Sequence, residues 1–162
     1  TSPRESHCLM SLYHDRWDDL VGRMPAKLVF PAVSGKEWMF MTGSDPKNVP
    51  WSYHNGGNWP VLLWPLAAAA MKTGRGDLAQ LALDVADHGL PQADWPEYYD
   101  GQDGRFIGKE ARTYQTWTIA GFAAAHALLA DPSQVDLFSF HGNAQVAACT
   151  GHATERIRQE QG

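Results

Sequence analysis

Apolar residues recur at helical spacing in four stretches of this chain, separated by long polar and glycine-rich segments. Leu9, Leu12, Tyr13, Trp17 and Leu20 fall at i, i+3, i+4, i+8 and i+11, which predicts a helix over residues 9–21 with one apolar stripe. Asp15, Arg16, Asp18 and Asp19 lie mostly off that stripe, and Gly22 and Pro25 stop the helix. A second helix, over residues 60–73, is apolar nearly all round: Val61, Leu62, Leu63, Trp64 and Leu66, then Ala67 to Ala70. A helix without a polar face is buried on several sides. Pro65 inside it removes a backbone hydrogen bond and predicts a kink, and Gly74 supplies the stop. Residues 77–88 read as an amphipathic helix with Leu78, Leu81, Ala82 and Val85 on its stripe and Gly89 at its end. The connection between these two helices is short, so they should pack as an antiparallel helical hairpin. The last strong helix spans 114–130, with Ile119, Phe122, Ala123, His126 and Leu129 inward and Asp131-Pro132 closing it. His126 on that face reads as a core histidine with its hydrogen bonds satisfied.

Between the helices the periodicity fails. Residues 26–52 carry two short apolar runs, Leu28 to Phe30 and Trp38 to Met41, read as extended pieces in a long loop. Pro31, Pro46 and Pro50 exclude a long helix there, and a loop of this length in a compact domain is often functional. In Trp51 to Pro60, Gly56-Gly57 permits a tight turn, Asn58 is placed to cap the next helix and Pro60 suits its first turn. The free N–H groups of that helix start, beside His54 and Asn55, suit an anion or a hydroxyl; simple capping beside an aromatic core explains the same residues. No GK[ST] follows the glycines, so this is not a phosphate loop, and His54 has no second ligand at metal-binding spacing. Tyr98-Tyr99 and Arg105 to Ile107 flank Asp100-Gly101 and Asp103-Gly104, which predicts a small β-hairpin. Asp136 to Phe138 reads as a last packed turn, and residues 141–162 as a loosely ordered tail with a short helix near Ala153 to Gln159. The expected architecture is all-α, built of helical hairpins with functional loops on one rim, in one domain over residues 1–140.

Composition narrows the partners. The chain has 162 residues, 44% hydrophobic and 19% charged, as a soluble domain does. A net charge of −5 argues against nucleic acid and against an anionic membrane surface. The longest apolar run, Val61 to Met71, is too short to span a bilayer. Thr1 to Ser6 has no apolar signal-peptide core, so a cytoplasmic location is expected. Cys8 and Cys149 stand far apart with no CxxC or zinc spacing and read as free thiols; no cofactor or metal is indicated. Seven tryptophans are many, and exposed tryptophan is a platform for carbohydrate as well as a core residue.

The chemistry concentrates in Trp95 to Gly101 and its continuation to Trp117. Glu97 and Asp100 can move protons, Arg105, Arg112 and Gln115 can hydrogen-bond hydroxyls, and the aromatic rings can stack on a sugar face. The plain alternative is a surface hairpin beside a helix. Asp100 precedes Gly101 and has a ready turn role. Glu110, between Lys109 and Arg112, is most simply explained by an ion pair. Glu97 follows Pro96 among aromatics, where partial desolvation favours its neutral form and a nearby Arg112 would keep it ionised.

Several ordered stretches then resemble one family. They are Arg16 to Gly22, Thr42 to Asn48, Trp51 to Gly57, Trp59 to Trp64, Trp95 to Gly101, Gly108 to Arg112 and Tyr114 to Trp117. Over roughly residues 10–140 the chain resembles the alkaline/neutral invertases, glycoside hydrolase family 100. The resemblance implies an (α/α)6 barrel, of which this chain is the C-terminal portion, and hydrolysis of sucrose to glucose and fructose with inversion. It implies Glu97 as the general base, Arg112 and Gln115 as contacts to sugar hydroxyls, and His54 and Trp59 as pocket lining. It places the general acid, an aspartate, in the N-terminal part of the family's domain, outside these residues. Inversion needs two carboxylates roughly 6.5–9.5 Å apart, so this chain alone should bind weakly and turn over little. A non-catalytic carbohydrate-binding or regulatory remnant is the alternative, and another sugar enzyme on the same barrel, such as an epimerase, is a third. Pro65 and the residues after about Phe140 depart from the family pattern. An open barrel edge exposing the apolar faces of the helix over 60–73 and its neighbours predicts homo-oligomerisation or other association, or poor solubility.

Overall fold

The computed structural model describes residues 2–42 and 45–138, with the side chains of Met41 and Thr42 left aside. The tail over 141–162 and its expected helix lie outside the described residues. The described part is helical: α1 (Pro3–Asp15), α2 (Trp17–Leu20), α3 (Glu37–Thr42), α4 (Leu63–Lys72), α5 (Gly76–Gly89) and α6 (Thr116–Ala130). Short 3-10 turns cover Pro60–Leu62 and Pro132–Phe138. The fold is all-α, and among the described residues the β content is limited to isolated bridges.

The first helix begins earlier than its apolar stripe suggests. Ser2 caps α1 and accepts from the Glu5 N–H, while Glu5 Oε2 accepts from the Ser2 N–H, a reciprocal capping box with Pro3 in the first turn. The helix then breaks at Arg16 instead of running on to residue 21. The inward residues differ from the stripe: Met10 is buried, Tyr13, Trp17 and Leu20 are half-buried against the core, and Leu9 and Leu12 are exposed. Trp38 to Met41, expected to be extended, lies in the helical turn of α3.

The core is built by α4 and α5 packing as a hairpin across Thr73–Arg75, with α6 against both. Gly74 closes α4: its N–H bonds to Met71 O and that of Arg75 bonds to Ala70 O, so two end carbonyls are satisfied. Leu63, Leu66, Ala67 and Ala70 of α4 meet Leu78, Ala79, Ala82, Leu83 and Ala86 of α5. Leu81 falls outside this stripe and is exposed. Pro65 does not kink α4. Because Pro60–Leu62 forms a separate 3-10 turn, Pro65 stands in the first turn of α4, where its N–H would have no helical partner. Asn58 does not cap the helix either; Trp59 holds the cap position, without a side-chain bond.

The last helix is turned from its expected face. Thr118, Gly121, Ala125 and Leu128 are buried; Ile119, Ala123 and His126 are exposed, and Phe122 and Leu129 are half-buried. α6 is apolar on nearly every side, so periodicity does not select a face. Gly121 does: a Cβ there would come within 3.2 Å of the Trp64 ring, so its absence lets α6 approach α4. His126 is not a core histidine. Its Nε2 lies 2.8 Å from Asp87 Oδ1, in an exposed pair joining α6 to α5. In the last turn the Phe138 ring packs tilted against Trp64 at 5.3 Å while Leu137 is exposed.

Candidate functional site

Three non-helical segments lie side by side at one end of the helices. Asn58 and Tyr99 exchange backbone hydrogen bonds (3.0 and 2.8 Å), and the Trp59 N–H donates to Ala26 O at 2.9 Å. The Gly101 N–H donates to Trp51 O, and a Cβ on Gly101 would overlap the Gly56 carbonyl oxygen, so only glycine fits this crossing. Two buried asparagines hold the loops in place. Asn58 Nδ2 donates to Val21 O and Met24 O. Asn55 accepts the Val33 N–H at 2.8 Å and donates to Val33 O at 2.9 Å, which fixes the long loop over 26–52. The expected hairpin reduces to one antiparallel bridge, Tyr99 to Ile107. Asp100 Oδ1 accepts from the Gln102 N–H, the turn role read from its place before Gly101.

Glu97 is half-buried between buried Pro96 and Tyr98. Its N–H donates to Arg112 O at 2.7 Å, the Gln115 N–H donates to Trp95 O at 3.0 Å, and Thr118 Oγ1 donates to Pro96 O at 3.1 Å. The start of α6 is therefore fastened along Trp95 to Glu97. Gln115 is half-buried at the N-cap position of α6, and Arg112 is exposed. The structure brings Arg112 beside Glu97 through the backbone; no ion pair within 4.0 Å joins the two side chains among the described residues. Glu110 likewise forms no ion pair there and instead occupies an exposed turn at φ +57°.

Next to Glu97 the rings form a continuous stack. His54 is half-buried and lies on Tyr53 at 4.0 Å and on Trp59 at 5.3 Å. Trp59 stacks on Tyr98 at 5.5 Å and 18°, and Trp117 meets Trp59 edgewise at 6.0 Å and 74°. Trp59 is 6% exposed and its Nε1 donates to Tyr53 O, so it offers a wall and not a free donor. Lys47 Nζ sits 3.8 Å over the Tyr53 ring. Burial pushes the Tyr98 phenol above its ordinary pKa; a bond with Ser52 and the charge of Lys47 oppose the shift, and the charge of Glu97 adds to it. Lys47, Tyr53 and Tyr98, not singled out from sequence, thus surround the predicted residues; the density of aromatics around Trp51 to Trp59 was the available signal. Trp51, Tyr53 and Trp95 hold φ of +68°, +48° and +55°, a backbone form costing about 1–3 kcal/mol each for such residues. Strain of this kind gathers where a site is over-determined by its surroundings.

A cleft of about 180 Å³ opens at this stack, lined by Leu28, His54, Trp59, Val61, Leu62 and Trp117. A larger hollow, about 910 Å³, lies between Arg23, the end of α5 and Phe106; it takes in Arg105 but none of His54, Trp59, Glu97, Arg112 and Gln115. Among the described residues no three His, Cys, Asp or Glu converge as metal ligands, and no helix is long and apolar enough to cross a membrane.

The site thus brings a half-buried carboxylate beside stacked rings on an all-α frame, and comparison with known proteins places the chain among the glycoside hydrolases. It belongs to the alkaline and neutral invertase family, whose model matches residues 1–132. It is 53% identical over 144 residues to probable alkaline/neutral invertase D of Arabidopsis thaliana, covering 89% of this chain and 27% of that protein. It is 51% identical over 138 residues to cytosolic invertase 1 of Oryza sativa subsp. japonica, covering 85% of this chain and 25% of the relative. Identity to the Arabidopsis thaliana alkaline/neutral invertase C, mitochondrial, is also 51%, covering 85% and 21%. The chain thus spans about a quarter of the length of the curated relatives it matches.

Proposed function

We propose that the protein containing these residues hydrolyses sucrose to glucose and fructose with inversion, and that Glu97 is its general base. The observation that carries this is the placement of Glu97: half-buried, on a segment fastened at its flanks to Arg112 and Thr118, beside the His54–Trp59–Tyr98 stack. In the proposed reaction Glu97 takes a proton from water as the water oxygen bonds to the anomeric carbon of the glucosyl ring. The glycosidic C–O bond breaks on the opposite face, and a carboxylic acid there gives its proton to the departing fructose oxygen. That acid is assigned to a part of the protein beyond these 162 residues. Arg112 and Gln115 hydrogen-bond sugar hydroxyls, while His54 and Trp59 shape the pocket wall. We place the protein in the cytosol, with its cytosolic relative.

Glu97→Gln in the complete protein tests the assignment. It removes the base while keeping size and polarity, so turnover should fall by about 10²-fold or more with sucrose affinity within about threefold. Retained turnover rejects it. For the 162 residues taken alone the second reading applies, a carbohydrate-binding unit without catalysis, because one assigned carboxylate cannot serve both faces of the bond. Full sucrose hydrolysis by the purified chain, assayed alongside, contradicts that.

A further inference from the structure

We infer that Tyr98 is a positioning residue for Glu97: its buried hydroxyl joins three loops and so fixes the stretch of backbone that carries the carboxylate. This rests on the reading of Glu97 as the base. Tyr98 is 0% exposed, so it holds the site together without touching a sugar. Its hydroxyl donates to Lys109 O. A carbonyl only accepts, so the phenol proton is committed there, and the Ser52 hydroxyl, 3.4 Å away, donates to the phenol oxygen in a longer contact. One side chain thereby ties the loop over 51–59 to the segment over 95–101 and to the turn over 108–112. Burial holds the phenol protonated beyond its ordinary range. The ring is seated as firmly as the hydroxyl. It stacks on Trp59 and meets Tyr53 edgewise at 5.3 Å, and a Cβ on Gly108 would overlap it, so only glycine fits there.

The effect on Glu97 runs through the backbone. Among the described residues the Glu97 carboxylate takes part in no hydrogen bond or ion pair, so its place is set by the main chain that carries it. The Glu97 N–H is held by Arg112 O at 2.7 Å, at the far end of the turn. Tyr98 holds the near end twice: its carbonyl accepts the Gly108 N–H at 3.0 Å, and its hydroxyl bonds Lys109 O. Between these anchors Glu110 is exposed at φ +57°, a strained form that persists where the surroundings over-determine it. Without the hydroxyl, Lys109 O loses its partner and the turn is free to relax, carrying the Arg112 carbonyl and the Glu97 N–H with it. Proton abstraction is sensitive to such shifts, a misplacement of ~1 Å costing up to ~10²-fold in rate. Sugar binding is shared among several side chains, whereas proton abstraction rests on one carboxylate. The loss should therefore fall mainly on kcat.

The test is steady-state hydrolysis of sucrose by the complete protein, unmutated and as Tyr98→Phe, Glu97→Gln and the double variant. Tyr98→Phe keeps the ring and deletes the hydroxyl. Its kcat should fall about tenfold, with KM within about threefold. In the Glu97→Gln background the same change should cost less than about threefold, because the group it positions is gone. Tyr13→Phe, which takes a hydroxyl from α1 outside the site, should leave kcat unchanged. Hydrogen exchange read by mass spectrometry on the same proteins should be faster over residues 97–112 in Tyr98→Phe than in the unmutated protein. Should Tyr98→Phe fail to fold, Ser52→Ala deletes one bond to the same hydroxyl; a loss of about threefold in kcat is expected, and an unchanged kcat overturns the role. Tyr98→Phe at the unmutated kcat, an equal loss in both backgrounds, or unchanged exchange over 97–112 overturns the positioning role, while slow turnover by Glu97→Gln leaves the base assignment standing. Full turnover by Glu97→Gln removes the base, and the positioning role with it.

Discussion

Tyr99 shows how much of this site is held by single side chains. It is 3% exposed, stands two residues after Glu97, and pairs through its backbone with Asn58. In the unfolded chain a tyrosine ionises near pH ~10. Burial in the fold pushes Tyr99 up to about 12. The unfolded chain therefore loses this proton first, so stability is complete below about pH 10 and declines as the pH rises towards 12. Denaturant midpoints measured across that window should fall, and Tyr99→Phe should flatten part of the slope; an unchanged slope in the variant contradicts the burial argument. Tyr13 and Tyr98 are shifted the same way by burial and Tyr114 by its bond to Asp94, so they share the remaining slope, while Lys27, lowered by burial, works against it. Residues of this kind were partly legible in the sequence. The turn role of Asp100 before Gly101 was readable from its neighbours. The two asparagines were not: Asn58 looked like a helix cap because nothing local reveals that Val21 O and Met24 O lie within its reach.

At the scale of elements, the helices were legible wherever one side differs from the other. α5 carries polar residues at Gln80, Asp84 and His88, and its core face shows in the pattern. α6 has almost no polar side, so its burial is decided by what fits: the Gly121 approach to Trp64 and the Thr118 bond to Pro96 O. The one-residue break at Arg16 likewise divides the stripe drawn through Leu9, Leu12, Trp17 and Leu20 between two helices. What the apolar pattern omitted at the chain start was written in polar residues, Ser2-Pro3-Arg4-Glu5. Ser2→Ala removes one half of that capping box, and its expected effect is a loss of about 0.5–2 kcal/mol in the opening free energy of the first turn of α1. Amide exchange over residues 4–8 reads this; unchanged protection there shows that tertiary contacts, not the cap, hold the turn.

At the scale of the molecule, a quarter-length match to the curated relatives agrees with a surface that carries apolar groups. Phe40, Phe106, Ile107, Leu9, Leu12 and Ile119 are all exposed. Of the helices expected at an open edge, α4 has Leu63, Leu66 and Ala67 buried by α5 and α6, while its neighbour α6 exposes Ile119. The 162-residue chain should therefore associate in solution through other faces. Sedimentation velocity over a concentration series checks this, a concentration-independent monomer being the contrary result. The central claim is that Glu97 directs water onto the anomeric carbon from the face opposite the leaving fructose. Sucrose carries an α-linked glucosyl group, so an inverting displacement releases β-glucose first. Time-resolved proton NMR of sucrose with the complete protein, read before mutarotation, measures this directly. The account predicts β-glucose in the first spectra and glucose release from Glu97→Gln slower by about 10²-fold or more; α-glucose as the first product, or β-glucose from the variant at the unmutated rate, contradicts it.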